Sequence, residues 1–132
     1  MRTIRTEGAP APVAGAPYSQ AVAAPAGELV FVSGQVPIDL ATGHLAEGDA
    51  GAQAELVLRH VRAILSAAGA RLDHVVRTTI YLTHLSEDFP VVNEVYREAF
   101  AGHTPARATV GVAVLPLGAR VEIDAIAVIP GE

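Results

Sequence analysis

The chain has 132 residues, a formal net charge of −5 at pH 7, nine basic residues that are all arginine, and no cysteine. That length allows one compact domain over residues 1–132, able to bury about two-thirds of its unfolded surface without a disulfide or a structural metal. Without Cys or Lys this chain alone has no thiol nucleophile, thiolate zinc site, iron–sulfur ligation, lysine Schiff base or Walker lysine, and the acidic balance argues against general nucleic-acid binding.

Charges, Pro and Gly interrupt every long apolar run, so no segment can span a bilayer. The N-terminus meets Arg2, Arg5, Glu7 and Pro10 within a few residues and lacks the apolar core of a secretory signal. Cytoplasmic residence is the expectation. An edge strand is expected near Thr3–Thr6, followed by irregular backbone from Ala9 to Gly27, where four prolines disfavour helix. Leu29 to Ser33 is β-branched and aromatic and reads as a strand stopping at Gly34, with a loop from Pro37 to Gly48. Asp49 can cap a helix whose apolar stripe is Val57, Val61, Ile64, Leu65 and Ala68, with Gly69 ending it and Arg59, His60, Arg62 and Ser66 facing water.

Val75 to Thr83 consists almost wholly of β-formers and reads as a central strand. Ser86 or Asp88 is expected to cap a second helix bearing Phe89, Val92, Tyr96, Ala99 and Phe100 on one stripe and closing at Gly102. Two further strands, Arg107–Leu115 and Val121–Ile129, follow, joined by a turn at Pro116 and Gly118. This order gives an α+β fold, a mixed sheet with both helices on one face. Small and apolar residues on both faces of Arg107–Leu115 imply a cover on the second face, and a second copy of the chain is the economical one. The alternative is an Ala-rich sheet that tolerates water.

The histidines, at positions 44, 60, 74, 84 and 103, have no i,i+4 pair, so metal-ligand spacing is absent, as are the GxGxxG, GxxxxGK and GxSxG patterns. Glu122 and Asp124 lie two apart on an apolar strand and project from one face. Burying them requires Arg or backbone donors, or an interface that uses them, so an interface ion pair stands beside an acid–base role. Arg107 opens another apolar strand with Thr109 on its face. Its fork suits a ligand carboxylate, or an acidic residue in a salt bridge.

Ala16-Pro17-Tyr18-Ser19-Gln20-Ala21, Val32-Ser33-Gly34-Gln35-Val36-Pro37, Asp88-Phe89-Pro90-Val91-Val92-Asn93, Pro105-Ala106-Arg107 and Val121-Glu122-Ile123-Asp124-Ala125-Ile126-Ala127 stand in this order along the chain. Together they resemble the Rid family, the reactive-intermediate deaminases also described as endoribonuclease L-PSP, over essentially the whole length. The resemblance implies a chorismate-mutase-like fold, a homotrimer with sites between subunits, and hydrolysis of enamines and imines such as 2-aminoacrylate to a 2-keto acid and ammonia without a cofactor. It implies that Arg107 binds the substrate carboxylate, that Glu122 positions water, that Tyr18 closes the pocket or bonds the water, and that Ser33, Gly34, Asn93 and Thr109 line it. Thr109 stands where many members have cysteine, which bears on substrate preference. The same family leaves open a ribonuclease, a metabolite-binding or chaperone protein, and an imine hydrolase dedicated to one pathway.

Overall fold

The computed structural model describes residues 1–131. The elements run β1 (Arg2–Ile4), β2 (Ala21–Ala23), β3 (Gly27–Gln35), α1 (Ala50–Ala67), β4 (Val75–Leu82), α2 (Leu85–Phe100), β5 (Ala106–Gly111) and β6 (Val121–Pro130), with single 3₁₀ turns at Val13–Gly15, Leu72–His74 and Pro116–Gly118. The main sheet has the order β3-β6-β4-β5. Its first three strands pair antiparallel, whereas β4 and β5 are parallel, with α2 forming the crossover that a parallel pair requires. This is the expected mixed α+β architecture. No helix among the described residues is long and apolar enough to cross a membrane.

Several boundaries differ from the sequence expectation. The N-terminal strand is Arg2–Ile4 and pairs with Ala21–Ala23 in a separate two-stranded ribbon, so it is no edge of the main sheet. Gly34 does not stop β3. The strand runs on to Gln35 through a register shift between Val32 and Gln35, where a glycine suits the locally disrupted ladder. β5 ends at Gly111 rather than Leu115, because its neighbour β4 itself ends at Leu82 and leaves little strand to pair with.

Asp49 caps α1 as expected, its Oδ1 accepting from the Ala52 N–H at 2.9 Å, and Gly69 follows the helix with φ +81. In α2 the cap residue is His84, without a side-chain bond, and neither Ser86 nor Asp88 caps. Asp88 is claimed by a stronger partner: buried one turn in, it receives the Arg120 guanidinium through Nε at 2.9 Å and Nη2 at 3.0 Å. The Arg120 backbone N–H donates to Gln53 Oε1 at 2.8 Å, so the approach to β6 is tied to both helices.

The core lies between the sheet and the helices. Val57, Val61 and Leu65 of α1 and Val92, Tyr96 and Phe100 of α2 meet Ile80, Leu82, Val121, Ile123, Ala125 and Ala127 from the sheet. Ile64 and Ala68, expected on the α1 stripe, are exposed instead. His60 is half-buried, its Nε2 within 2.8 Å of the Ile38 carbonyl, so it pins the loop before α1 rather than facing water freely. The other sheet face carries Leu29 and Phe31, 57% and 69% exposed, beside Tyr81, Glu122, Asp124 and Ile126. The helices leave this face uncovered. Leu65→Ala, which opens a void at a fully buried position, should cost about 2–5 kcal/mol, whereas its neighbour Ile64→Ala should cost under about 1 kcal/mol; urea unfolding at fixed protein concentration measures both.

Candidate active site

Arg107, the second residue of β5, pairs in register with the buried Thr78 of β4, which places its side chain on the helix side of the sheet. Its Nη2 donates to Asn93 Oδ1 of α2 at 2.6 Å. Its Nε and Nη1 are buried and have no partner among the described residues. Rings surround the charge: the guanidinium carbon lies 5.3 Å from the Tyr18 centroid, 5.9 Å from Phe89 and 4.9 Å from Tyr96. Their π faces attract a cation without neutralising it. Burial lowers the pKa of Arg107, yet an arginine so shifted remains charged at any physiological pH. No carboxylate of the described residues pairs with it, which removes the intrachain salt-bridge alternative.

Thr109, two residues on and on the same face, has a buried Oγ1 that also lacks a partner. Tyr18 accepts a hydrogen bond from the Val13 N–H at 2.8 Å, which leaves its phenolic proton available to a ligand. Tyr96 is unsuited to proton transfer. Burial pushes its pKa up to about 12, and its hydroxyl lies 2.8 Å from Thr78 Oγ1. A cavity of about 570 Å³ adjoins this group, lined by Arg107, Thr109 and Tyr18 together with the apolar Val13, Leu85, Phe89 and Pro90.

Glu122 lies elsewhere. It pairs in register with Tyr81 on the uncovered face, so Arg107 and Glu122 project from opposite faces of one sheet. Glu122 packs against Gly34, where even a Cβ would overlap its Oε2. Burial first, and the nearby Asp124 second, raise the pKa of Glu122 from its ordinary value. Ser33, exposed on β3, precedes Gly34. The structure therefore gathers the expected site residues into two sets, Tyr18, Asn93, Arg107 and Thr109 on one side and Ser33, Gly34 and Glu122 on the other.

Phe89 and Tyr96 were legible only as members of a helical stripe, and nothing in that periodicity separates a ring that packs on an arginine from one that fills the core. Tyr81 gave no signal beyond strand propensity. The structure resolves the question of how the carboxylates are satisfied differently for each: Asp124 receives Tyr81 and a backbone N–H, and Glu122 receives neither.

A buried guanidinium with two donor nitrogens unpaired among the described residues, lining a mainly apolar cavity, has the chemistry of a site for a small carboxylate. Comparison with known proteins identifies the family. The endoribonuclease L-PSP family model matches residues 8–129. Among curated relatives, Protein DfrA of Myxococcus xanthus is 56% identical over 118 residues, 89% of each chain. The 2-iminobutanoate/2-iminopropanoate deaminase of Mus musculus is 46% identical over 118 residues, 89% of this chain and 85% of that one. The crystal structure of RidA from the Antarctic bacterium Psychrobacter sp. PAMC 21119 superposes with a TM-score of 0.73 at 46% identity, covering 98% of this chain and all of the other. The chain belongs to the endoribonuclease L-PSP family, which includes the RidA proteins and the 2-iminobutanoate/2-iminopropanoate deaminases.

An unpaired buried hydroxyl lowers stability where it has no ligand to bind. Thr109→Val should therefore raise the unfolding free energy of the unliganded protein by about 1 kcal/mol, measured by urea unfolding.

Proposed function

We propose that this chain hydrolyses short-lived 2-imino acids and their enamine tautomers to 2-keto acids and ammonia, in an oligomer whose sites lie between subunits. The observation that carries this reading is Arg107, buried with its Nε and Nη1 unpartnered in front of an open cavity. The names of the relatives support it, several of which are 2-iminobutanoate/2-iminopropanoate deaminases. The uncovered sheet face, with Leu29 and Phe31 exposed, supports the oligomer, and a homotrimer is the form that the family resemblance implies.

The chemistry asks little of a nucleophile. An enamine such as 2-aminoacrylate tautomerises to the imine by moving a proton from nitrogen to carbon, and the C=N carbon is then electrophilic. Arg107 grips the carboxylate through two parallel charge-assisted bonds, one of them from the second N–H of Nη2, and Asn93, by holding the first Nη2 N–H, keeps the fork facing the cavity. Thr109 Oγ1 and the Tyr18 hydroxyl are the neighbouring donors to substrate or water. Water adds to the C=N carbon while a carboxylate takes its proton. That proton passes to the nitrogen to give the neutral carbinolamine, whose hydroxyl proton the same carboxylate then carries to the nitrogen, so that the C–N bond breaks, ammonia leaves and the C=O bond forms.

The carboxylate for this step is Glu122, whose raised pKa suits a group that both takes and returns a proton. Because it projects from the opposite face to Arg107, one chain cannot bring the two together across a ligand. The partner's Glu122 completes the site. Ser33 and Gly34 belong to that half, with Gly34 leaving room for the carboxyl.

The test is an amino-acid oxidase reaction supplying 2-imino acid, with residual imine trapped by semicarbazide. Lys offers one compact charge in place of a fork, so Arg107→Lys should fail nearly as badly as Arg107→Ala. Losing the clamp should lower kcat/KM by roughly 10- to 100-fold or more, and imines without a carboxylate should be indifferent to it. Wild-type turnover by Arg107→Ala, once sizing shows that it assembles, would exclude the mechanism. RNA cleavage that survives this substitution would favour the endoribonuclease reading carried by the family's description.

A second test addresses the shared site. Arg107→Ala and Glu122→Gln chains, each nearly inactive alone, should recover about a quarter of wild-type sites when unfolded and reassembled in equal amounts, since half of each set is intact at random. No recovery, with mixed oligomers demonstrated by mass spectrometry, would place both residues' roles within one chain.

A further inference from the structure

Glu122 and Asp124 project from the same face of β6, yet their surroundings differ. Asp124 Oδ2 accepts from the Tyr81 hydroxyl at 3.0 Å, and its Oδ1 accepts from the Thr79 backbone N–H at 3.2 Å. A donor on each oxygen fixes that carboxylate in one orientation. Glu122 has no donor among the described residues. The register sets Tyr81 directly across from Glu122 and Thr79 across from Asp124, so the Tyr81 ring lies beside Glu122 while its hydroxyl reaches diagonally to Asp124. The result is a negative charge held still about 7 Å along the strand from a free carboxyl.

The other groups facing Glu122 are few. β4 contributes Arg77, which pairs with Ile126 beyond Asp124, besides Tyr81. β3 contributes Ser33 and Gly34, and β5 contributes Ala106, Ala108 and Val110 on this face, none of which titrates. In the proposed oligomer, the partner's Arg107 also faces Glu122.

We propose that Asp124, pinned by Tyr81 and Thr79, is a positioning residue whose fixed charge raises the pH at which Glu122 releases its proton, and through it shifts the pH range of imine hydrolysis. The catalytic half of this inference rests on the deaminase reading; the electrostatic half does not. A like charge held nearby disfavours ionisation of its neighbour. A base moved towards neutrality transfers protons more effectively at working pH than one with an ordinary carboxylate pKa.

The experiment is carboxyl-detected ¹³C NMR of the assembled protein through a pH titration, read at Glu122, beside the pH profile of kcat/KM. Asp124→Asn should lower the Glu122 midpoint by about 0.5–1 pH unit and carry the acid limb of the profile with it, and Asp124→Glu should restore both. Tyr81→Phe removes a donor but keeps the charge, so it should shift the midpoint in the opposite direction, upward. An unmoved midpoint in Asp124→Asn, or equal falls in Asp124→Asn and Asp124→Glu, would overturn the proposal. If Asp124→Asn does not assemble, an unmoved or lowered midpoint in Tyr81→Phe overturns it instead. A midpoint that moves while the acid limb stays fixed would overturn the catalytic role of Glu122, and with it the part of Asp124 in turnover, leaving only the electrostatic coupling.

Discussion

Arg107 sits between the sheet and α2 with its charge among the rings of Tyr18, Phe89 and Tyr96 and a single amide oxygen, that of Asn93, as its hydrogen-bond partner. Removing a guanidinium from water while leaving two of its donor atoms unpaired costs stability, and the surrounding fold must supply it. Here the supply is the packed layer between α1, α2 and the sheet, where Val61, Leu65, Ile80, Ile123 and Tyr96 are fully buried. Tyr96 belongs to both. It stacks on Phe100 with centroids 4.4 Å apart, bonds Thr78 through its hydroxyl and turns its ring to the guanidinium. The site is thus an extension of the core, which keeps Arg107 oriented before any ligand arrives.

The alternation of side chains along the strands then governs everything on the far side of the sheet. Each strand offers one set of residues to the helices and the other to the uncovered face, and a parallel or antiparallel register carries that choice from strand to strand. Arg107 follows Thr78 to the helix side, and Glu122 follows Tyr81 to the other. Within one chain these two residues cannot meet across a ligand, and Leu29 and Phe31 stand exposed on the Glu122 face.

Membership of the endoribonuclease L-PSP family joins this chain to relatives with different names, from DfrA to the 2-iminobutanoate/2-iminopropanoate deaminases. A buried guanidinium beside an open cavity has the chemistry to suit a small carboxylate. In this chain the cavity is lined by Thr109, whose buried hydroxyl has no partner among the described residues, and by the apolar Val13, Leu85, Phe89 and Pro90.

Much was legible in the sequence because it depends on neighbours a few residues away. The α1 cap at Asp49, the stripe of Val57, Val61 and Leu65, the central strand from Val75, and the shared faces of Glu122 with Asp124 and of Arg107 with Thr109 all follow from local geometry. The motifs around Tyr18, Arg107 and Glu122 carried the family. Tertiary structure decided which face each pair occupies, because register between strands is fixed by long-range pairing that no single strand encodes. It also decided that Asp88 gives up a capping role to reach Arg120, 32 residues away, and that Asp124 is held by Tyr81 and Thr79 while Glu122 stays free. Those contacts join residues distant in sequence, so their energies appear only once the chain has folded.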